Sequence, residues 1–300
     1  PTAFRMPLYP AAVSLTRKAR PGIAGTRLLN AAADTAAIVA VHAVAAMLGG
    51  GLAGGLAACL YAFFGPAIEG VRAPGLEPFF GLLVALALAG WSDASRRKGV
   101  RRVLYSAVLL GLTLACRSTL FLLPLGLVWV LPAQGRRARL RDFGILVLGS
   151  LCFVLPWTLR NASLFRAFIP FENGAVSLNL WGASVGLIEN PAVPLLISAP
   201  EHRDFLSRAQ KASDRDRPGI FLRESLRNII RSPLPFLQNF FRRLPMLWRE
   251  QWLLLLLSLF LLAGRPKGIG VVFLLLGYFS LQAFMGVTPR YARPAASAAC

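Results

Sequence analysis

Acidic side chains are scarce in this chain: 13 Asp and Glu stand against 33 Lys and Arg, a formal charge of +20. In a soluble protein that imbalance points to nucleic acid. Here the basic residues lie in loops between apolar blocks, where a phospholipid surface is the nearer anion, so no nucleic-acid partner is expected. Histidine is limited to His42 and His202, too few for a histidine metal cluster. The four cysteines, Cys59, Cys116, Cys152 and Cys300, have no C-x-x-C spacing and lie in or against apolar blocks. That excludes a disulfide framework or a zinc ribbon and leaves buried thiols as the expectation. The sequence also lacks internal repeats and low-complexity tracts. Its first 27 residues are too polar and too basic to read as a cleavable signal peptide.

What is present is hydrophobicity in blocks. Hydrophobic residues make up 56% of the 300, with a mean hydropathy of +0.58. They fall in runs of about 14–22 residues, where a hydrocarbon core of about 30 Å calls for about 20 helical residues. The expected spans are 28–49, 51–68, 76–91, 103–116, 119–132, 143–158, 252–264 and 269–285, with Pro294 to Cys300 as the first turn of another. The fold class is therefore an all-α polytopic membrane protein, with about eight transmembrane helices plus juxtamembrane and interfacial amphipathic helices. Heavy use of Ala, Leu, Arg and Gly with few Lys is typical of a GC-rich bacterial source, which places the chain in an inner membrane.

Loop charge orients the spans. Arg96, Arg97, Lys98, Arg101 and Arg102 precede the block at 103–132, and Arg136, Arg137, Arg139 and Arg141 follow it. Both clusters belong on the cytoplasmic side, which requires an even number of crossings between them. The block is then a helical hairpin with Arg117 at its outer tip. Arg265 and Lys267 fall inside by the same alternation. The basic segment Arg5 to Arg27 falls outside, which fits a surface-lying helix better than a connecting loop. The organisation is thus a periplasmic juxtamembrane segment at 1–27 and a six-span core at 28–158. A periplasmic loop with amphipathic helices follows at 159–251, then two spans and a truncated third at 252–300. Within the loop, Leu222, Leu226, Ile229 and Ile230 recur on one side of a helix, while Arg223, Arg227 and Arg231 recur on another. This is the pattern of a helix lying in the interface against membrane phospholipid.

That topology gathers polar residues at the outer face: Glu77, Arg117, Arg160, Asn161, Asn173, Asn179, Trp181, Arg290 and Tyr291. Each has an ordinary explanation, such as a helix-start acid at Glu77, a snorkelling Arg117 or a turn at Asn173-Gly174. As a set they suit a sugar on a lipid phosphate, because arginine presents a fixed, forked charge to phosphate and amides suit hydroxyl-rich ligands. Asp34 and His42 lie within the first span, where a helix–helix hydrogen bond is the leading reading and a proton relay the alternative.

These residues also fall in segments that resemble a known family. Thr2-Ala3-Phe4-Arg5-Met6-Pro7-Leu8-Tyr9-Pro10, followed by Arg27-Leu28-Leu29-Asn30, is similar to the start of bacterial polyprenyl-phosphate-sugar-dependent glycosyltransferases. These belong to the C-type superfamily, with the dolichyl-phosphate-mannose–protein mannosyltransferases (family 39) and lipid A aminoarabinose transferases. Glu77-Pro78-Phe79-Phe80 resembles the family's Glu-Pro-Leu-Phe segment, and Cys116-Arg117-Ser118-Thr119 its Thr-Arg-Pro-Thr segment. Pro156-Trp157-Thr158-Leu159-Arg160-Asn161 resembles its Pro-Trp-x-x-Arg-Asn motif, continued by Phe168 to Pro170, Asn173-Gly174 and Asn179-Leu180-Trp181. Pro289-Arg290-Tyr291 with Pro294 resembles its late Pro-Arg-Tyr-x-x-Pro.

The resemblance implies inverting transfer of a sugar from a polyprenyl-phosphate donor to a lipid, glycan or protein acceptor at the periplasmic face. It implies Arg290, Arg117 and Arg160 as ligands of the donor phosphate. Asn161, Asn173, Asn179, Trp181 and Tyr291 would contact sugar or acceptor, and Glu77 would be a second carboxylate beside the acceptor or a divalent metal. The family's catalytic acid precedes the Pro-Leu-Tyr-Pro segment, upstream of Pro1, since no Asp or Glu occurs before Asp34. The expectation is a fragment lacking that acid, its first helix and its C-terminal helices, and inactive as given. The rival readings are a lipid-linked-sugar flippase or other transporter, and a non-catalytic membrane scaffold.

Overall fold

In this computed structural model the described residues are 6–72, 75–97, 99–130, 135–166, 168–171, 175–186, 200–213, 215–248, 272 and 276. Among them the chain is all-helical, without strands. It divides into two compact units, one holding Met6–Trp157 and the other Thr158–Arg249.

The first unit begins with α1 (Leu8–Ala19) and α2 (Ile23–Gly49), separated where Pro21 and Gly22 interrupt the helix and Gly22 takes φ +78°. The basic segment Arg5 to Arg27 contains helix α1, and α2 starts five residues before the span expected at Leu28. Next come α3 (Gly51–Ala62), α4 (Gly65–Arg72), α5 (Glu77–Arg97), α6 (Val100–Cys116), α7 (Leu123–Val130) and α8 (Gly135–Phe165). Three of these helices are long and apolar enough to cross a membrane: α2, α5 and α8. At a rise of about 1.5 Å per residue they reach roughly 40, 31 and 46 Å.

The expected span at 51–68 is corrected to two short helices. Phe64 donates to the Tyr61 carbonyl in a tightened last turn, and α4 then restarts with Pro66 in its first turn. Proline there has no N–H to continue the α3 ladder, while its fixed φ suits the start of a new helix. The expected block at 119–132 is also shorter. Helix α6 ends at Cys116, Arg117 is extended (φ −157°, ψ 129°), a 3-10 turn covers Ser118–Leu120, and α7 has eight residues. The break expected at Arg117-Ser118 is therefore present, but α7 covers only about 12 Å. The spans expected at 252–264 and 269–285 lie outside the described residues, apart from Val272 and Leu276, which are helical.

Small residues set the packing. Ala37, Ala40, Val41, Ala57, Tyr61 and Ala85 form a buried cluster where α2, α3 and α5 meet. Leu148, Leu151, Leu155 and Leu159 of α8, like Val39 of α2, face outward, as residues against lipid would. Cys116 is buried as anticipated, whereas Cys59 and Cys152 are exposed; all three are free thiols. Asp34 accepts a hydrogen bond from the Tyr61 hydroxyl at 2.9 Å, the helix–helix bond that was the leading reading, while His42 is exposed.

The second unit contains α9 (Ala175–Ser184), α10 (Pro200–Lys211), α11 (Arg217–Arg231) and α12 (Pro233–Trp248). Trp181, Leu206, Ala209 and Phe221 form its core. The C-terminus of α9 organises the rest. Gly186 at φ +89° ends the helix in a left-handed cap. The Ala183 carbonyl receives both the Gly186 N–H (3.2 Å) and Arg243 Nη2 (3.0 Å), and Asn228 donates to the Ser184 hydroxyl at 3.2 Å. Helices α11 and α12 are thus both pinned to one helix end.

Candidate functional site

Within the first unit, segments far apart in sequence meet at one end of α2, α5 and α6. Tyr9, in the first turn of α1, places its ring 5.9 Å from Phe79 at a tilt of 48°. Its hydroxyl donates to the Gly75 carbonyl, with Asn30 Oδ1 3.2 Å away as an alternative acceptor. Asn30 Nδ2 donates to the same carbonyl at 2.9 Å. Asn30 is fully buried, so this triangle satisfies polar groups that would otherwise carry a desolvation cost. It also fixes the backbone two residues before Glu77, the first residue of α5.

Burial raises the Tyr9 pKa above the ordinary phenol value. Glu77 and Cys116 push in the same direction, while the Asn30 hydrogen bond and Arg17 act against it. The hydroxyl therefore remains a neutral donor through the physiological range. Glu77 lines a small cleft of about 20 Å³ with Tyr61, Phe64, Ala67, Gly70, Pro78 and Gly81. That is room for about one water molecule or one hydroxyl group. Arg117 holds its guanidinium 5.8 Å from the centre of the Phe80 ring, within cation–π range, which presents a fixed charge beside an aromatic wall. At the opposite end of α5, Asp93 pairs with Arg97 (3.3 Å) and Arg102 (3.1 Å). Sixteen residues separate Glu77 from Asp93, about 24 Å of helix. The two polar ends thus bracket most of a hydrocarbon thickness.

The remaining candidates fall in the second unit or outside the described residues. Arg160 Nη1 donates to Asn161 Oδ1 at 2.9 Å, and Asn161 Nδ2 donates to the Ile169 carbonyl at 3.0 Å. Asn161 is fully buried, so its amide holds the loop after α8 in place and is not presented outward. Asn179 is half-buried on α9. Trp181 is enclosed, stacked on Phe205 (5.2 Å) and edged by His202 (5.4 Å) and Phe221 (5.7 Å). A sugar platform needs an open ring face, so the ligand role anticipated for Trp181 is replaced by core packing. Asn173, Arg290 and Tyr291 lie outside the described residues.

For the metal alternative at Glu77, among the described residues no three His, Cys, Asp or Glu side chains come together as a metal site. Sequence reasoning passed over Tyr9 and Asn30 as site residues, although both stand in the segments that carried the resemblance. A polar residue on the buried side of an otherwise apolar helix start was the available signal.

The Tyr9–Asn30–Gly75 triangle makes its own prediction. Asn30→Ala should cost about 1–3 kcal/mol by leaving buried polar groups without partners. Tyr9→Phe should cost less, and the double variant should fall short of the sum by about 0.5–1.5 kcal/mol. Denaturation of the detergent-solubilised protein measures all three, and strict additivity would show that the residues do not act as a unit. No family model, curated protein or solved structure matches the chain.

Proposed function

We propose that this chain is the membrane core of an inverting glycosyltransferase that moves a sugar from a polyprenyl-phosphate donor to an acceptor at the periplasmic face of a bacterial inner membrane. The observation that carries the reading is the convergence of Tyr9, Asn30, Glu77 and Arg117. They come from four separate segments of the resemblance and gather at one end of the first unit. The opposite end carries Arg97 and Arg102, the cytoplasmic side by the positive-inside rule, which puts the gathered residues outside.

In this reading, Arg117 stabilises the phosphate as the sugar leaves, since a preorganised charge is worth most where charge develops. Tyr9 and Asn30 hold the backbone before Glu77, whose carboxylate faces the acceptor. Transport would use Asp34 and His42 as mid-span charges, but Asp34 is held by Tyr61.

The test uses the full-length protein as its gene encodes it, in proteoliposomes with labelled polyprenyl-phosphate sugars. Arg117→Ala should lower release of polyprenyl phosphate by about 10²–10³-fold, and Arg117→Lys by less. Unchanged turnover in Arg117→Ala would remove the assigned role. A parent protein that consumes none of the lipid-linked sugars would overturn the enzyme reading.

A further inference from the structure

Helix α11 divides into three faces. Phe221, Ser225 and Asn228 turn inward: Phe221 meets Trp181, Ser225 is buried, and Asn228 reaches Ser184. Leu222, Leu226 and Ile230 form the neighbouring stripe at four-residue spacing, and it is uncovered, with 44, 48 and 78% of each residue exposed. Arg223, Arg227 and Arg231 form the next stripe round, all exposed; Arg227 pairs with Glu224 at 3.1 Å on the same helix. Helix α12 repeats the arrangement. Phe236, Phe240, Arg243 and Leu247 share its inner side, Leu234 (70% exposed), Leu237 and Phe241 (59% exposed) its outer side, and exposed Arg242 borders them.

The apolar residues read from sequence as the interfacial side of α11 are left open, except Ile229, which is half-buried. Packing is done by Phe221 and Ser225 instead. An open aliphatic stripe bordered on one side by arginines matches the cross-section of a bilayer interface, apolar below and anionic at the headgroups. We propose that α11 and α12 form a lipid-surface element that lays Leu222, Leu226, Ile230, Leu234, Leu237 and Phe241 into the acyl region. Its arginines hold anionic phospholipid headgroups.

The experiment places single spin labels on the full-length protein, with its native cysteines replaced, at Leu226→Cys, Ile230→Cys, Phe241→Cys and, as a control, Glu224→Cys. Nanodiscs contain either phosphatidylcholine alone or phosphatidylcholine with phosphatidylglycerol. The three apolar positions should be more accessible to oxygen than to a water-soluble nickel chelate, and deeper with phosphatidylglycerol. The Glu224 label should favour the nickel reagent. Arg223→Gln/Arg227→Gln/Arg231→Gln should lose the phosphatidylglycerol dependence, and the triple lysine variant should retain it. Preference for nickel at Leu226 and Ile230 would overturn the proposal. So would low accessibility to both reagents, which would mean that a protein partner or a second copy covers the face. Equal depth in the two lipid mixtures would overturn the headgroup assignment.

Discussion

Arg243→Ala should destabilise the second unit by about 3 kcal/mol or more, because it removes a large, fully buried side chain and a charged hydrogen bond together. Arg243 is wholly enclosed, its Nη2 donating to the Ala183 carbonyl at 3.0 Å. Burial draws its pKa below the ordinary arginine value. Its charge lies at the C-terminus of α9, where the helix dipole favours a cation. The loss should lower the melting temperature by about 10 °C or more and expose the α9–α12 region to protease. Arg243→Met keeps much of the volume and removes the buried charge, so it should recover most of the stability. If Arg243→Ala melted with the parent, the idea that this side chain fastens α12 to the end of α9 would be wrong.

Gly111→Leu should be comparably harmful to the first unit, for the opposite reason. A Cβ at Gly111 would lie 2.5 Å from the Phe153 ring and 3.0 Å from the Ser150 carbonyl, and one at Gly149 would lie 2.8 Å from the Ala107 Cβ. Helices α6 and α8 thus meet through small residues at four-residue spacing, the means by which helices in lipid bring their backbones close. A leucine there must push the helices apart, at about 3 kcal/mol. Thermal denaturation in detergent would read the loss. Gly111→Ala tests the geometry more finely. Its cost should shrink when combined with Phe153→Ala, which clears the ring, but should not vanish, because the Ser150 carbonyl is backbone. Full rescue would show that the ring alone sets the distance.

Helix type and the long apolar helices were legible because hydropathy records burial in lipid directly, and α2, α5 and α8 carry it over 18 residues or more. The break at Phe63–Phe64 was not, because glycine and proline are common inside spans and a hydropathy window does not register where a ladder loses its N–H. Arg117 was identified from loop charge alone, and the chain does leave the helix there. Arg243 follows exposed Arg242 directly in sequence, and two adjacent arginines suggest a solvated face. Yet it shares a helix face with Phe236, Phe240 and Leu247, and that periodicity was the available sign that one arginine turns inward. Trp181 illustrates the reverse error: an aromatic beside amides invites a ligand reading, and only its neighbours Phe205 and Phe221 reveal a core position. For α11, apolar character picked out Leu222 and Leu226. Close packing selected Ser225, whose small side chain returns its hydroxyl to the Phe221 carbonyl at 2.6 Å.

The Asp34–Tyr61 bond bears on biogenesis. As α2 emerges from the ribosome it carries an aspartate near its middle, and a charged Asp at mid-bilayer costs about 2.5–3.5 kcal/mol in translocon-based insertion. Its hydroxyl partner follows 27 residues later, across the single non-helical residue Gly50. The lateral gate of the insertion machinery therefore has reason to retain α2 until α3 arrives, releasing the two to lipid as a pair already joined by their hydrogen bond.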